Sequence, residues 1–151
     1  MGRSETSNDL RGEFKRGLGY TGWRHALYPQ EWFDSSTERS LAITLDVSDE
    51  IAYWARLQRK DLEIAWEGGN YNPDFVAVDT DDVHWVIEVK SDKDAASEDV
   101  IAKRGAATRW ANEVSAAPKL NGLRWRYLLA READVEQAKE SWPALRGLGA
   151  A

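Results

Sequence analysis

Two short apolar runs dominate the hydrophobic pattern. PDFVAVD (73–79) and VHWVIEVK (83–90) are rich in β-branched and aromatic residues and flank the polar turn TDD, which predicts an antiparallel hairpin. LEIAWE (62–67) alternates like a strand ahead of the turn sequence GGN (68–70), and LRWRYLLA (123–130) supplies a fourth strand. Helical spacing fills most of the remainder. One helix opens near Ser35 and presents Leu41, Ile43 and Leu45. Ser48 is placed to cap a second, with Ile51, Trp54, Ala55 and Gln58 at helical intervals. The longest helix spans about 95–116, with Val100, Ala107, Ala111 and Val114 as its inward stripe and Trp110 beside it. Gly105 in its middle costs about 1 kcal/mol relative to alanine. EADVEQAKESW (132–142) forms a closing helix. The order ααβββαβα predicts an α/β fold, a central mixed four-stranded sheet flanked by helices. Residues 1–30 read as a partly ordered lead-in to one domain over 31–151.

Composition narrows the class. A chain of 151 residues, 42% hydrophobic with eight tryptophans, has the material for one packed core. No run reaches the roughly 18 apolar residues of a membrane helix, and the polar start MGRSETSNDL carries no signal-peptide stretch, so a cytoplasmic protein with no membrane partner is expected. The absence of cysteine excludes disulfides and thiolate zinc sites. The net charge of −6 is unevenly spread: residues 32–99 hold 17 acidic and 6 basic residues, whereas 103–131 hold seven basic residues against Glu113 alone. An acidic region beside a basic one fits a metal site next to a nucleic-acid surface, and equally fits ordinary solvated faces.

The hairpin carries the candidate chemistry. Alternation puts Glu88 and Lys90 on one face and Trp85, Ile87 and Val89 on the other. A turn centred on Asp81 sets Val78 against His84 and Asp74 against Glu88, with Cβ atoms of opposed residues about 4.5–5.5 Å apart. Two carboxylates and an ammonium then converge. Opposed like charges destabilise a sheet unless neutralised, and oxygen ligands suit Mg²⁺ or Mn²⁺. The plainer alternative makes Asp74 a turn residue and Glu88–Lys90 a surface ion pair. The apolar character of the Glu88 strand argues against that, because buried charges need partners or a function. His25 and His84 lack metal-ligand spacing, the tryptophans at 54, 66, 85 and 125 read as core, and Asp92, Asp94 and Asp99 read as a solvated loop and helix start.

PD, thirteen residues, then EVK resembles the PD-(D/E)XK nuclease signature. Over roughly residues 26–130, LYPQEWFDSSTERSLAITLD, IAYWARL, YNPDF, WVIEVKSDKD and AATRWANEV resemble the C-terminal endonuclease domain of type III restriction enzyme Res subunits and related helicase–nucleases. The resemblance implies a restriction-endonuclease-like fold and Mg²⁺- or Mn²⁺-dependent hydrolysis of DNA phosphodiesters in restriction or phage defence. It makes Asp74 and Glu88 metal ligands, with the Val89 carbonyl as a third and Lys90 as the catalytic lysine. Glu38 matches the helix-borne acid that helps hold a metal-bound water, although Ser35-Ser36-Thr37-Glu38 is also a capping-box pattern. Some relatives carry a glutamine and a tyrosine on the helix after the lysine strand. Here Trp110 stands near the aromatic position and no glutamine is present. Lys103, Arg104 and Arg109 are candidate DNA-backbone contacts. No GxxxxGK[ST] phosphate loop exists, so any ATP-driven motor belongs to another polypeptide or region, and double-strand cleavage would need two copies or a partner. The rival expectations are a non-catalytic DNA-binding or scaffolding module of the same fold, and a metal-dependent hydrolase acting on RNA or nucleotides.

Overall fold

A computed structural model describes residues 5–58, 61–116 and 123–149. In chain order its elements are β1 (Thr6–Ser7), β2 (Gly19–Thr21), β3 (Gln30–Glu31), α1 (Ser36–Val47), β4 (Ile51–Arg56), β5 (Ile64–Trp66) and β6 (Gly69–Tyr71). They continue with β7 (Phe75–Asp79), β8 (Val83–Lys90), α2 (Asp92–Ala95), α3 (Glu98–Ala116), β9 (Arg124–Arg131), α4 (Glu132–Ala138) and α5 (Trp142–Gly149). The main sheet runs β4-β7-β8-β9, antiparallel except for the parallel β8–β9 pair. This is the expected mixed four-stranded sheet flanked by helices. One face packs Trp54, Phe75, Ala77, Trp85 and Ile87 against Leu41 and Leu45 of α1, Val135 of α4 and Trp142 and Leu145 of α5. The other face packs Val86 against Ala107 of α3 and Ile64 and Tyr71 of the β5–β6 ribbon.

The hairpin has the register its turn predicts: Phe75 faces Ile87, Ala77 faces Trp85 and Val78 faces His84. Asp79 fixes that turn. Its carboxylate accepts the N–H groups of Asp81 and Val83, both at 2.9 Å, and the Trp85 indole N–H at 3.0 Å. Hydrogen bonds to a charged partner are worth about 1.5–3 kcal/mol each when the partner is removed. Asp79→Ala should therefore destabilise the domain by about 3 kcal/mol or more in urea unfolding. An unchanged midpoint would mean the turn holds itself.

Three expected elements differ. Ile51–Gln58 does not form a helix; Ile51–Arg56 is the edge strand β4. A bulge at Ala52 explains the misreading. Ile51 pairs with Asp79 and Tyr53 with Val78, so the extra residue puts Ile51 and Trp54 on the same buried face at a three-residue interval, imitating a helix. The 62–67 strand is shorter than expected and stays out of the main sheet. Among the described residues β5 pairs only with β6, and its apolar side chains are covered by α3. The order of core elements is therefore αβββαβ, with β4 in place of the second helix. The closing helix is also broken: Lys139 and Glu140 have φ of 49° and 64°, which separates α4 from α5.

Residues 5–31 dock onto this core. Tyr20 is 1% exposed, and Asp46 of α1 accepts the backbone N–H groups of Arg24 and His25 and the indole of Trp54. No helix among the described residues is long and apolar enough to cross a membrane. His84, on the Glu88 face, packs against Trp125 with ring centroids 4.6 Å apart and planes tilted by 34°.

Candidate active site

Asp74 directly precedes β7, and Glu88, Val89 and Lys90 end β8. Continuation of the hairpin register brings them together. The Val89 N–H donates to the Asp74 carboxylate at 2.8 Å, which ties the two chain segments at the point where Glu88 projects. Glu88 is 4% exposed. One of its oxygens accepts from the Tyr127 hydroxyl at 3.2 Å, and the other lies 3.6 Å from the Lys90 ammonium. The three residues singled out for chemistry thus share one site. The Val89 carbonyl belongs to the same strand end.

The electrostatics of the pair are unfavourable as it stands. Burial raises the pKa of Asp74, opposed by the Val89 amide and by the charges of Arg56 and Lys90. Burial first, and then the neighbouring Asp74, push Glu88 up to about 7, with Lys90, Tyr127 and Lys103 acting in the opposite sense. A buried carboxylate, Glu88, beside the partly buried Asp74, both with raised pKa values, forms a donor set that a divalent cation would satisfy. Mg²⁺ in particular is usually held by one or two carboxylates with waters completing its shell. The residues present fit such an ion. Among the described residues no three His, Cys, Asp or Glu side chains are grouped to hold one.

Glu38 stands apart from that pair. Its carboxylate accepts from the Arg56 Nε at 3.0 Å and from the Asp34 N–H at 3.1 Å, while the Ser35 hydroxyl accepts the Glu38 N–H at 3.2 Å. Half of the capping box is formed; the return bond goes to Asp34 instead of Ser35. Burial raises the Glu38 pKa, against the pull of Arg56, and the charge of Asp74 raises it further. Glu38 therefore borders the site with Arg56 holding it.

The basic candidates diverge. Lys103 lies over the rings of Trp66 and Tyr71, 5.0 and 5.7 Å from their centroids, on the side of α3 that faces Glu88. Arg104 points toward α5 and reaches the Gly149 carbonyl at 3.5 Å. Arg109 is exposed beside Gly105, Ile101 and Glu67. Farther along the same basic stretch, Arg124 donates to the Asp81 carbonyl, Arg126 lies over Trp85, and Lys119 lies outside the described residues.

Three neighbours of the site were not singled out from the sequence: Tyr127, Tyr71 and Arg56. The Tyr71 hydroxyl reaches that of Tyr127 and donates to the Lys103 carbonyl at 3.3 Å. The Arg56 guanidinium donates to the carbonyls of Leu57 and Asp74 as well as to Glu38. The alternation of Trp125, Tyr127 and Leu129 was a signal that one face of β9 carries a hydroxyl. Nothing local fixed which β8 residue it would meet. Because the Tyr127 hydrogen bond favours the charged form of Glu88, Tyr127→Phe should raise the Glu88 pKa further. The acid limb of the cleavage pH profile should move to higher pH and the rate at neutral pH fall about 10-fold or more, in keeping with about 1.5 kcal/mol or more for one hydrogen bond to a charged group. An unmoved profile would show that Tyr127 only packs.

A four-stranded mixed sheet flanked by helices, with a carboxylate pair and a lysine at one end of its central hairpin, defines a restriction-endonuclease-like nuclease domain. The chain belongs to the endonuclease-domain family: the family model described as Endonuclease domain matches residues 24–115, which include Glu38, Asp74, Glu88, Lys90 and Lys103. No curated protein and no solved structure matches the chain.

Proposed function

We propose that this chain is a divalent-metal-dependent endonuclease domain that hydrolyses DNA phosphodiesters, of the kind found at the C-terminus of type III restriction Res subunits. The observation that carries the reading is the convergence of Asp74, Glu88 and Lys90 at the β7–β8 hairpin end. Asp74, Glu88 and the Val89 carbonyl would hold Mg²⁺ or Mn²⁺, with Glu38, held in place by Arg56, helping to hold a metal-bound water from the border of the site. Such an ion supplies Lewis-acid polarisation of the phosphodiester and a more acidic water.

The protein's own part is positioning and charge. The Val89 amide and the Tyr127 hydroxyl fix the two carboxylates. Lys90 offsets negative charge that builds on the phosphate as it is attacked. Lys103, seated on two aromatic faces close to Glu88, offers a second cation to the same phosphate, with Arg104 and Arg109 farther along the DNA. The physiological partners in this reading are DNA, a helicase or ATPase motor outside this chain, and a second copy where both strands are cut, in a cytoplasmic restriction or defence role.

The test is incubation of the protein with labelled DNA and RNA in Mg²⁺, in Mn²⁺ and in chelator. Internal cutting of DNA that stops in chelator is the expected result. Tight DNA binding with no cutting would assign the non-catalytic module instead, and cutting confined to RNA would move the substrate class.

A further inference from the structure

A cavity of about 510 Å³ opens directly beside Asp74, with Trp32, Arg56, Gln58, Asn72 and Pro73 among its walls. Its size is in the range of small-ligand sites. Among the described residues Trp32 is the most exposed tryptophan, at 40%. Its position follows from its neighbours. Glu31 and Phe33 are each 2% exposed, and in extended chain the residue between two buried ones must point outward. Both neighbours are anchored: the Glu31 carboxylate accepts the Arg56 N–H at 3.0 Å, and the Phe33 ring lies 6.2 Å from that of Phe75 in a stacked arrangement. The anchored neighbours thus place the partly exposed Trp32 indole at the rim of the cavity.

The remaining walls are polar and set for a flat, hydrogen-bonding guest. The Arg56 guanidinium is already bonded to Glu38, Asp34 and two carbonyls, so it forms a fixed wall and leaves little donor capacity for a phosphate. The Gln58 carboxamide makes no hydrogen bond among the described residues, although the Gln58 backbone is pinned to Asp61. An amide beside an aromatic face is the combination that reads the edge of an unstacked base.

We infer that this cavity receives an unstacked nucleobase of the strand whose phosphate lies at Asp74, with Trp32 stacking on the base and Gln58 bonding its edge. The inference rests on the proposed nuclease function and deepens it. The favoured substrate becomes DNA whose strand is locally unpaired at the scissile phosphate, because removing a base from a continuous duplex adds an unstacking cost that an unpaired strand does not carry.

The test uses the full chain in a Lys90→Ala background, so that bound strand stays intact. Oligonucleotides carrying 2-aminopurine at successive positions report a base stacked on the protein. A fluorescence change at one position is expected, together with about 10-fold tighter binding of single strand than in the Trp32→Ala, Lys90→Ala double variant. Gln58→Ala should weaken binding less, and Trp32→Phe should restore most of it. Without the Lys90 change, Trp32→Ala should lower cleavage of single strands more than that of duplex. Binding and fluorescence unchanged by both Trp32→Ala and Gln58→Ala would overturn the inference. Failure of the wild type to cut any nucleic acid would instead refute the nuclease function, while the binding arms still decide whether a base enters the cavity.

Discussion

Replacing Asp74 by asparagine should lower metal-dependent DNA cleavage by at least about 10³-fold and leave the fold in place. The two halves of that expectation have separate causes. The Asp74 carboxylate does a structural task, accepting the Val89 N–H at 2.8 Å, and the carboxamide oxygen of asparagine can accept the same bond. What asparagine lacks is the negative charge that faces Glu88 and would attract a divalent cation. Asp74→Ala would lose both and confound the result with local unfolding. Lys90→Ala should cost a comparable factor with even less structural effect, since the Lys90 side chain is 29% exposed and pairs only with Glu88 among the described residues. Circular dichroism and a nicking assay on the same samples separate stability from chemistry. Retained cleavage in both variants would remove these residues from the active site.

Glu88→Gln should stabilise the metal-free protein by about 3 kcal/mol at pH 8 while abolishing cleavage. The Glu88 pKa rises from an ordinary 4.5 to about 7 in the folded chain, through burial and then Asp74. A carboxyl whose folded pKa lies above its unfolded value destabilises the fold when ionised. The cost is absent below about pH 4.5, where both states are protonated, grows as pH rises, and is complete above about pH 7. Glutamine is neutral throughout and keeps an acceptor for the Tyr127 hydroxyl. Its advantage should therefore be full at pH 8, shrink on acidification and disappear below about pH 4.5. Urea unfolding in chelator across that range is the measurement. Saturating Mg²⁺ should stabilise the wild type and leave the variant unmoved. A variant less stable than wild type at pH 8 would mean that Lys90 and Tyr127 already compensate the Glu88 charge.

The features legible in the sequence were those set by short-range geometry. Asp79 and the TDD turn fix the β7–β8 register within a few residues, so the meeting of Asp74 with Glu88 and the shared face of Lys90 could be worked out by counting. β4 was misread because a single bulged residue converts a two-residue period into a three-residue one. That error concealed Arg56, which on a helix would have had no reason to meet Glu38. Tyr127 was hidden for another reason. β8 and β9 are parallel and joined through α3, so no turn relates their registers, and the pairing of Val86 with Tyr127 depends on how the helix lies across the sheet. The β5–β6 ribbon alternates as well as any sheet strand, and only the availability of α3 to cover Ile64 and Tyr71 keeps it out of the main sheet.

An anomalous-scattering map from crystals equilibrated with Mn²⁺ tests most directly whether Asp74 and Glu88 act as one metal centre. A single peak at ligation distance, about 2.0–2.3 Å, from a carboxylate oxygen of each is the predicted result. A map with no peak there at saturating Mn²⁺, or with the ion bound to one carboxylate while the other keeps its Tyr127 or Val89 partner alone, would contradict it.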